Sequence, residues 1–134
     1  MSQENVEVVR RSFETWVRGG TDALVEVLDP GIEWTLRPDF PDAGVFRGQD
    51  EVRGLFRRFE ETFDDLGMEP LEFIEAGDQV VVPLNWWGRG KESGVEVAER
   101  QGETWVITVR AGKIAVVTEY RRKAEALEAV GLPE

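Results

Sequence analysis

From Leu71 to Arg122 the chain repeats one pattern: "LEFIEAG", "DQVVVPLNWWGRG", "VEVAERQGETWVITVRAG" and "KIAVVTEYRR", each alternating and each separated from the next by a short glycine-containing connection. Period-two alternation between tight turns specifies antiparallel hairpins. The residues before this run follow a different period. Val6, Val9, Phe13, Trp16 and Val17 form one helical stripe over about Glu4–Arg18, and Gly19-Gly20 should stop it. Thr21 then stands where an N-cap belongs, before a short helix ended by Asp29-Pro30. "IEWTLR" alternates as a lone strand, "PDFPDAGVFRGQ" reads as a loop, and a third helix over about Asp50–Asp64 carries Val52, Leu55, Phe56, Phe59 and Phe63. "EALEAV" closes the chain as a short helix, with Gly131 as its stop. Helices, one strand, a helix and then a run of strands predict a single α+β domain over residues 1–134, with helices on one face of a curved antiparallel sheet.

Strand parity divides the residues between two faces. Val80, Val82, Leu84 and Trp86 share one side with Trp105, Ile107 and Val109, and with Ala115, Val117 and Glu119. The other side carries Val81, Trp87, Val106, Val116 and Tyr120, a patch apolar enough to mark an interface, so a homodimer through the outer sheet face is expected. The alternative is a monomer whose C-terminal helix folds over that face. Pro83 lacks the amide a central strand needs and predicts a bulge or an edge. On the inner side gather Phe13, Trp16, Trp34, Phe56, Phe59, Phe63, Trp86 and Trp105. These could simply fill a core. They could also line a hollow that binds a small apolar or aromatic molecule, because indoles are seldom fully buried.

Composition removes whole classes of chemistry. The 134 residues contain neither cysteine nor histidine, which excludes disulfides, thiolate or imidazole metal sites and the histidine-based triad. Acid–base work is left to carboxylates, Tyr120 or lysine. A net charge of −11 repels nucleic acid and anionic membranes. With no signal-like start and no long apolar run, a cytoplasmic location is expected, with no nucleic-acid or membrane partner, no metal and no cofactor. "GRGKESG" fits no phosphate-binding pattern and reads as a hairpin, and Glu60-Glu61 and Asp64-Asp65 read as solvated.

The segments "ENVEVVRRSFETWVRGG", "LDPGIEW", "VFRGQDEVRGLFRRF", "AGDQVVVPLNWWGRGKESG" and "WVITVRAGKIAVVTEYRRKAEALEAVGL" together resemble the nuclear transport factor 2-like superfamily, in its SnoaL-like branch. The resemblance spans essentially the whole chain. It implies a cone-shaped α+β roll, with a curved antiparallel sheet wrapped around three N-terminal helices and a short C-terminal helix. It also implies a pocket at the wide end, lined here by Phe13, Trp16, Trp34, Phe56, Phe59, Leu84, Trp86, Trp105, Val117 and Glu119. The family includes enzymes and pure binding domains, so the fold does not give the function. Carried over by position, the catalytic set of ketosteroid isomerase falls on Phe13, on Trp34 or Thr35, and on Trp105, none of which can serve. The epoxide-hydrolase set falls on Trp86, Leu84 and Glu119, one match of three. Glu119 is the inward carboxylate that a cyclase or isomerase of this family could use as acid or base on a polycyclic or aromatic substrate. Three readings therefore stand: a small-molecule binding protein, an enzyme using Glu119, and a dimerisation module without ligand.

Overall fold

A computed structural model of the protein describes residues 2–40 and 43–133. Its elements run α1 (Ser2–Glu26), β1 (Leu28–Thr35), β2 (Val45–Arg47), α2 (Gly48–Thr62), β3 (Phe63–Pro70), β4 (Ile74–Ala76), β5 (Gln79–Gly90), β6 (Glu96–Arg110), β7 (Lys113–Tyr120) and α3 (Lys123–Ala129). The strands form one sheet in the order β2-β1-β7-β6-β5-β3, with β4 beside β3's position along β5. All pairs are antiparallel except β1 with β7, which run parallel. The sheet is therefore mixed rather than purely antiparallel. The hairpins of the second half follow chain order, whereas the parallel pair joins the chain's first strand to its last.

The helical stripe is real, with one exception. Val9 and Phe13 are buried and Trp16 packs against them, but Val17 lies 69% exposed. Gly20 leaves the helical region at φ 77°, ψ −161°, a left-handed φ that favours glycine, so α1 is two helical segments meeting at a kink. With α2 this gives the three N-terminal helical segments expected. Thr21 does not serve as expected at the start of the second segment; its hydroxyl donates to Glu60 of α2. Asp29 and Pro30 lie inside β1, where the Gly31 amide donates to Asp29 Oδ2 and the register with β7 shifts. The loop expected at 38–49 contains β2, and its Pro41 and Asp42 lie outside the described residues. Phe63 opens β3 instead of ending the helix.

One core joins α1 and α2 to the inner sheet face through Val9, Leu24, Val52, Leu55, Val80, Val82, Ile107 and Val117, among others. A smaller cluster lies on the outer face, where Ala126 and Leu127 of α3 pack with Val81, Val106 and Tyr120. α3 thus covers the middle of the apolar patch, as the monomeric alternative required. Trp87, expected in this patch, does not lie there: past the irregularity between Leu84 and Trp86 the parity no longer holds, and its indole packs over Gly67 on the inner side, 41% exposed. Pro83 sits where the two short edge strands meet. Its carbonyl accepts from Leu71 N at 2.8 Å, and in a strand the amide and carbonyl of one residue point to the same neighbour. The missing donor therefore faces the gap between β3 and β4, and a bulge follows between Leu84 and Trp86. Among the described residues, no helix is long and apolar enough to cross a membrane.

Candidate functional site

A cavity of about 330 Å³ opens between α1, α2 and the inner sheet face. Trp16, Phe40, Phe56, Phe59, Trp86, Trp87 and Trp105 supply its aromatic walls, with Leu66, Met68 and Leu84. Val17 and Gly20 stand at the mouth, and Glu60, Glu103 and Glu119 are its charged lining residues. Trp86, Trp105 and Glu119 therefore look into one hollow. Of the residues expected to line a pocket, Trp16, Phe56, Phe59, Leu84, Trp86, Trp105 and Glu119 do so. Phe13, Trp34 and Val117 stand behind the wall. The Phe13 ring stacks on Trp105 at 5.8 Å, and Trp34 meets Trp105 edge-on at 5.0 Å. These backing rings hold the lining indoles in place.

Strand pairing explains the floor. Trp105 lies opposite Glu119 across β6 and β7, and Glu103, two residues earlier, shares the parity of Trp105. Glu119 is thus not the sole inward carboxylate: Glu103 is buried beside it, and the two form a hydrogen-bonded carboxyl pair. Glu119 does not pair with Arg89 or Arg121 at the rim. Its Oε2 accepts from Trp34 Nε1 at 2.7 Å, and its Oε1 from the Arg37 amide at 3.3 Å. Glu103 Oε1 accepts from Trp105 Nε1 at 2.6 Å. Burial, and then the neighbouring Glu103 charge, push Glu119 well above the usual carboxylate range. Burial also raises Glu103, against the opposing pull of Trp105 and Arg37. Ionising both members of such a pair is unfavourable, and the stronger upward push falls on Glu119.

Arg37 organises the surroundings. β1 ends at Thr35, so strand parity stops there, and Arg37 turns inward rather than following Glu33 to the exposed side. Its guanidinium grips Asp39 with two bonds of 2.9 and 2.8 Å and reaches Glu99 at 3.0 Å, the Gly102 carbonyl at 3.0 Å and Glu103 at 3.5 Å. It also lies 4.2 Å over the Phe40 ring. Glu99 in turn accepts from Trp86 Nε1 at 2.5 Å. A register shift lets both Glu99 and Glu103 of β6 reach Arg37, since Leu84 pairs with Glu103 while Trp86 pairs with Glu99. Gly102 permits this shift, because a Cβ there would come within 2.5 Å of Glu99 Cβ. Arg89 and Arg47 play no part in the pocket. Arg89 bonds Glu96 in the β5–β6 hairpin, and Arg47 approaches Glu33 on the surface. Among the described residues, no group of three or more acidic side chains is arranged to hold a metal ion.

A curved sheet closed over helices around such a hollow defines the nuclear transport factor 2-like fold. The chain belongs to the SnoaL-like domain family, whose model matches residues 9–117. An uncharacterised protein of Mycobacterium tuberculosis is 26% identical to it over 124 residues, 92% of this chain and 93% of that protein. The crystal structure of a nuclear transport factor 2-like protein from Burkholderia xenovorans shares 31% identity, with a TM-score of 0.74 and 90% of each chain covered. TerC, co-crystallised with polyporic acid, superposes with a TM-score of 0.74 at 19% identity, covering 95% of this chain and 98% of TerC.

Proposed function

We propose that the protein binds a small molecule with a predominantly apolar or aromatic body in the cavity above Glu103 and Glu119. The observation that carries this reading is the contrast between walls and floor. Seven aromatic side chains line a space of about 330 Å³, and its two buried carboxyls, Glu103 and Glu119, lie together at the floor. Ligand pockets span about 300–1,000 Å³ and combine apolar walls with a few placed polar groups. That TerC was co-crystallised with polyporic acid supports a pocket of this fold that admits small molecules. The test is titration of freshly purified protein with neopentylbenzene, read by tryptophan fluorescence, alongside native mass spectrometry for a co-purified molecule. Saturable quenching or a co-purified molecule supports the reading; an empty protein whose spectrum is perturbed neither by this hydrocarbon nor by its ammonium counterpart, benzyltrimethylammonium, overturns it.

A second reading is favoured by the carboxyl pair. Glu119, holding a proton among indoles, has the state required of a general acid in a cyclase or isomerase acting on a polycyclic or aromatic substrate. It requires that Glu119→Gln abolish turnover of such a substrate while binding persists. We further propose a cytoplasmic homodimer through the outer sheet face. Val116 and Tyr120, only half-buried on that face, support it as apolar surface that α3 does not fully cover. Sedimentation equilibrium giving a single-chain mass would dismiss the dimer.

A further inference from the structure

We propose that the ligand of this cavity is a cation: an amine or quaternary ammonium on an aliphatic or aromatic body, its charged end seated among the indole faces above Glu103 and Glu119. The proposal deepens the binding reading and rests on it.

Three observations point the same way. First, among the described residues the charged ones lining the cavity are Glu60, Glu103 and Glu119, with no lysine or arginine. Second, the floor carries an excess of carboxyl groups. Among the described residues one buried guanidinium, Arg37, faces Asp39, Glu99 and Glu103, while Glu119 adds a fourth acid. Arg121 reaches only Asp39, from outside, at 3.8 Å. Negative potential at the floor is therefore incompletely offset, and the net charge of −11 steers cations toward the mouth. Third, the N–H groups of three indoles are already engaged and are not open to an anionic or hydrogen-bonding ligand. The N–H edges of Trp34, Trp86 and Trp105 are bonded to Glu119, Glu99 and Glu103. The positive edges of Trp86 and Trp105 are thus committed to protein carboxylates, while the rings border the cavity. The electron-rich face of an aromatic ring attracts an ammonium group, most strongly where water is excluded. An anion would meet the same floor with repulsion.

The carboxyl pair supplies a signature. In the empty cavity one proton is shared between Glu103 and Glu119, and an arriving ammonium takes over the role of that proton. The groups facing the pair are Arg37, Trp34 and Trp105, with Glu99 and Asp39 around Arg37 and Glu60 across the mouth on α2. Binding of the cation therefore releases a proton and tightens with rising pH.

The experiment compares benzyltrimethylammonium with neopentylbenzene, which has the same shape but carbon in place of the charged nitrogen, by tryptophan quenching at mildly alkaline pH. The expected result is an affinity about tenfold or more in favour of the ammonium, a preference that shrinks in Glu103→Gln and Glu119→Gln. Should those variants not fold, calorimetry of the unaltered protein in two buffers of different ionisation enthalpy reads proton release directly. Release with the ammonium and none with the hydrocarbon supports the proposal; equal release for both overturns it. Neopentylbenzene binding as tightly as the ammonium overturns the charge assignment and leaves the pocket intact. If neither probe binds, the pocket reading falls as well.

Discussion

Replacing Glu119 by glutamine isolates the shared proton. The amide matches the protonated acid in shape and can donate to Glu103, but it cannot ionise. Its oxygen must stay on Trp34 Nε1, since the alternative sets two donors face to face where the bond is now 2.7 Å. The NH₂ then faces the Arg37 amide and loses the 3.3 Å contact, a cost of about 1 kcal/mol. Against this stands the pH term. The folded pKa of Glu119 lies well above the ordinary 4.5. Below that ordinary value the acid is protonated in both folded and unfolded chains, and its burial carries no pH-dependent penalty. As pH rises the unfolded chain ionises first, and stability falls by about 1.4 kcal/mol per pH unit until the folded group ionises too. The glutamine variant lacks this loss. It should be the less stable protein at acid pH, draw level within about one pH unit above the ordinary carboxylate value, and be the more stable one at neutral pH. Urea unfolding of both proteins across this range, with free energies extrapolated to water, measures the difference directly. Parallel profiles, with the variant uniformly weaker, would refute a proton held on Glu119 in the fold.

Arg37→Met leaves Glu103, Glu99 and Asp39 without their buried partner. It should cost about 3–5 kcal/mol at neutral pH, and less where the carboxyls can protonate, as denaturant midpoints at two pH values will show. Gly67→Ala would set a methyl 2.5 Å from Trp87 Cζ2 at the cavity mouth. We expect a loss of about 1–2 kcal/mol and a red-shifted emission as the indole swings into solvent; an unchanged spectrum would contradict the packing. Leu127→Ala removes the buried anchor of α3 over Val81 and Val106 and should cost about 2–3 kcal/mol by thermal unfolding. Because this site lies on the opposite face of the sheet, probe binding in the cavity should not change.

Much of this arrangement is legible in the sequence, for reasons that also mark the limit. The stripe of Val9, Phe13 and Trp16 and the alternation in β5, β6 and β7 are local signals, so the helices, the hairpins and the inward turn of Trp86, Trp105 and Glu119 can all be read. β3 cannot. "FDDLGMEP" has no alternation, and its strand geometry comes from pairing along β5, with Asp65 at a positive φ of 54° beside the irregularity. β2 is three residues long and exists because it pairs with β1. Glu103 shares the parity of Trp105, yet burying a second acid beside Glu119 is unfavourable unless the two share a proton, which no spacing rule expresses. Arg37 lies beyond the end of its strand, where alternation no longer applies.

The parallel pairing of β1 with β7 has a kinetic consequence. Trp34 lies opposite Val117 and bonds Glu119, 85 positions further along the chain. Closing so long a loop costs entropy before any contact repays it, so this pairing should rank among the slow steps of folding. During synthesis the hairpins of β5 and β6 can form while β7 is still unmade. The acidic floor is completed only when the last strand slides in beside the first, so a chain halted before Glu119 has indoles but no finished receptor.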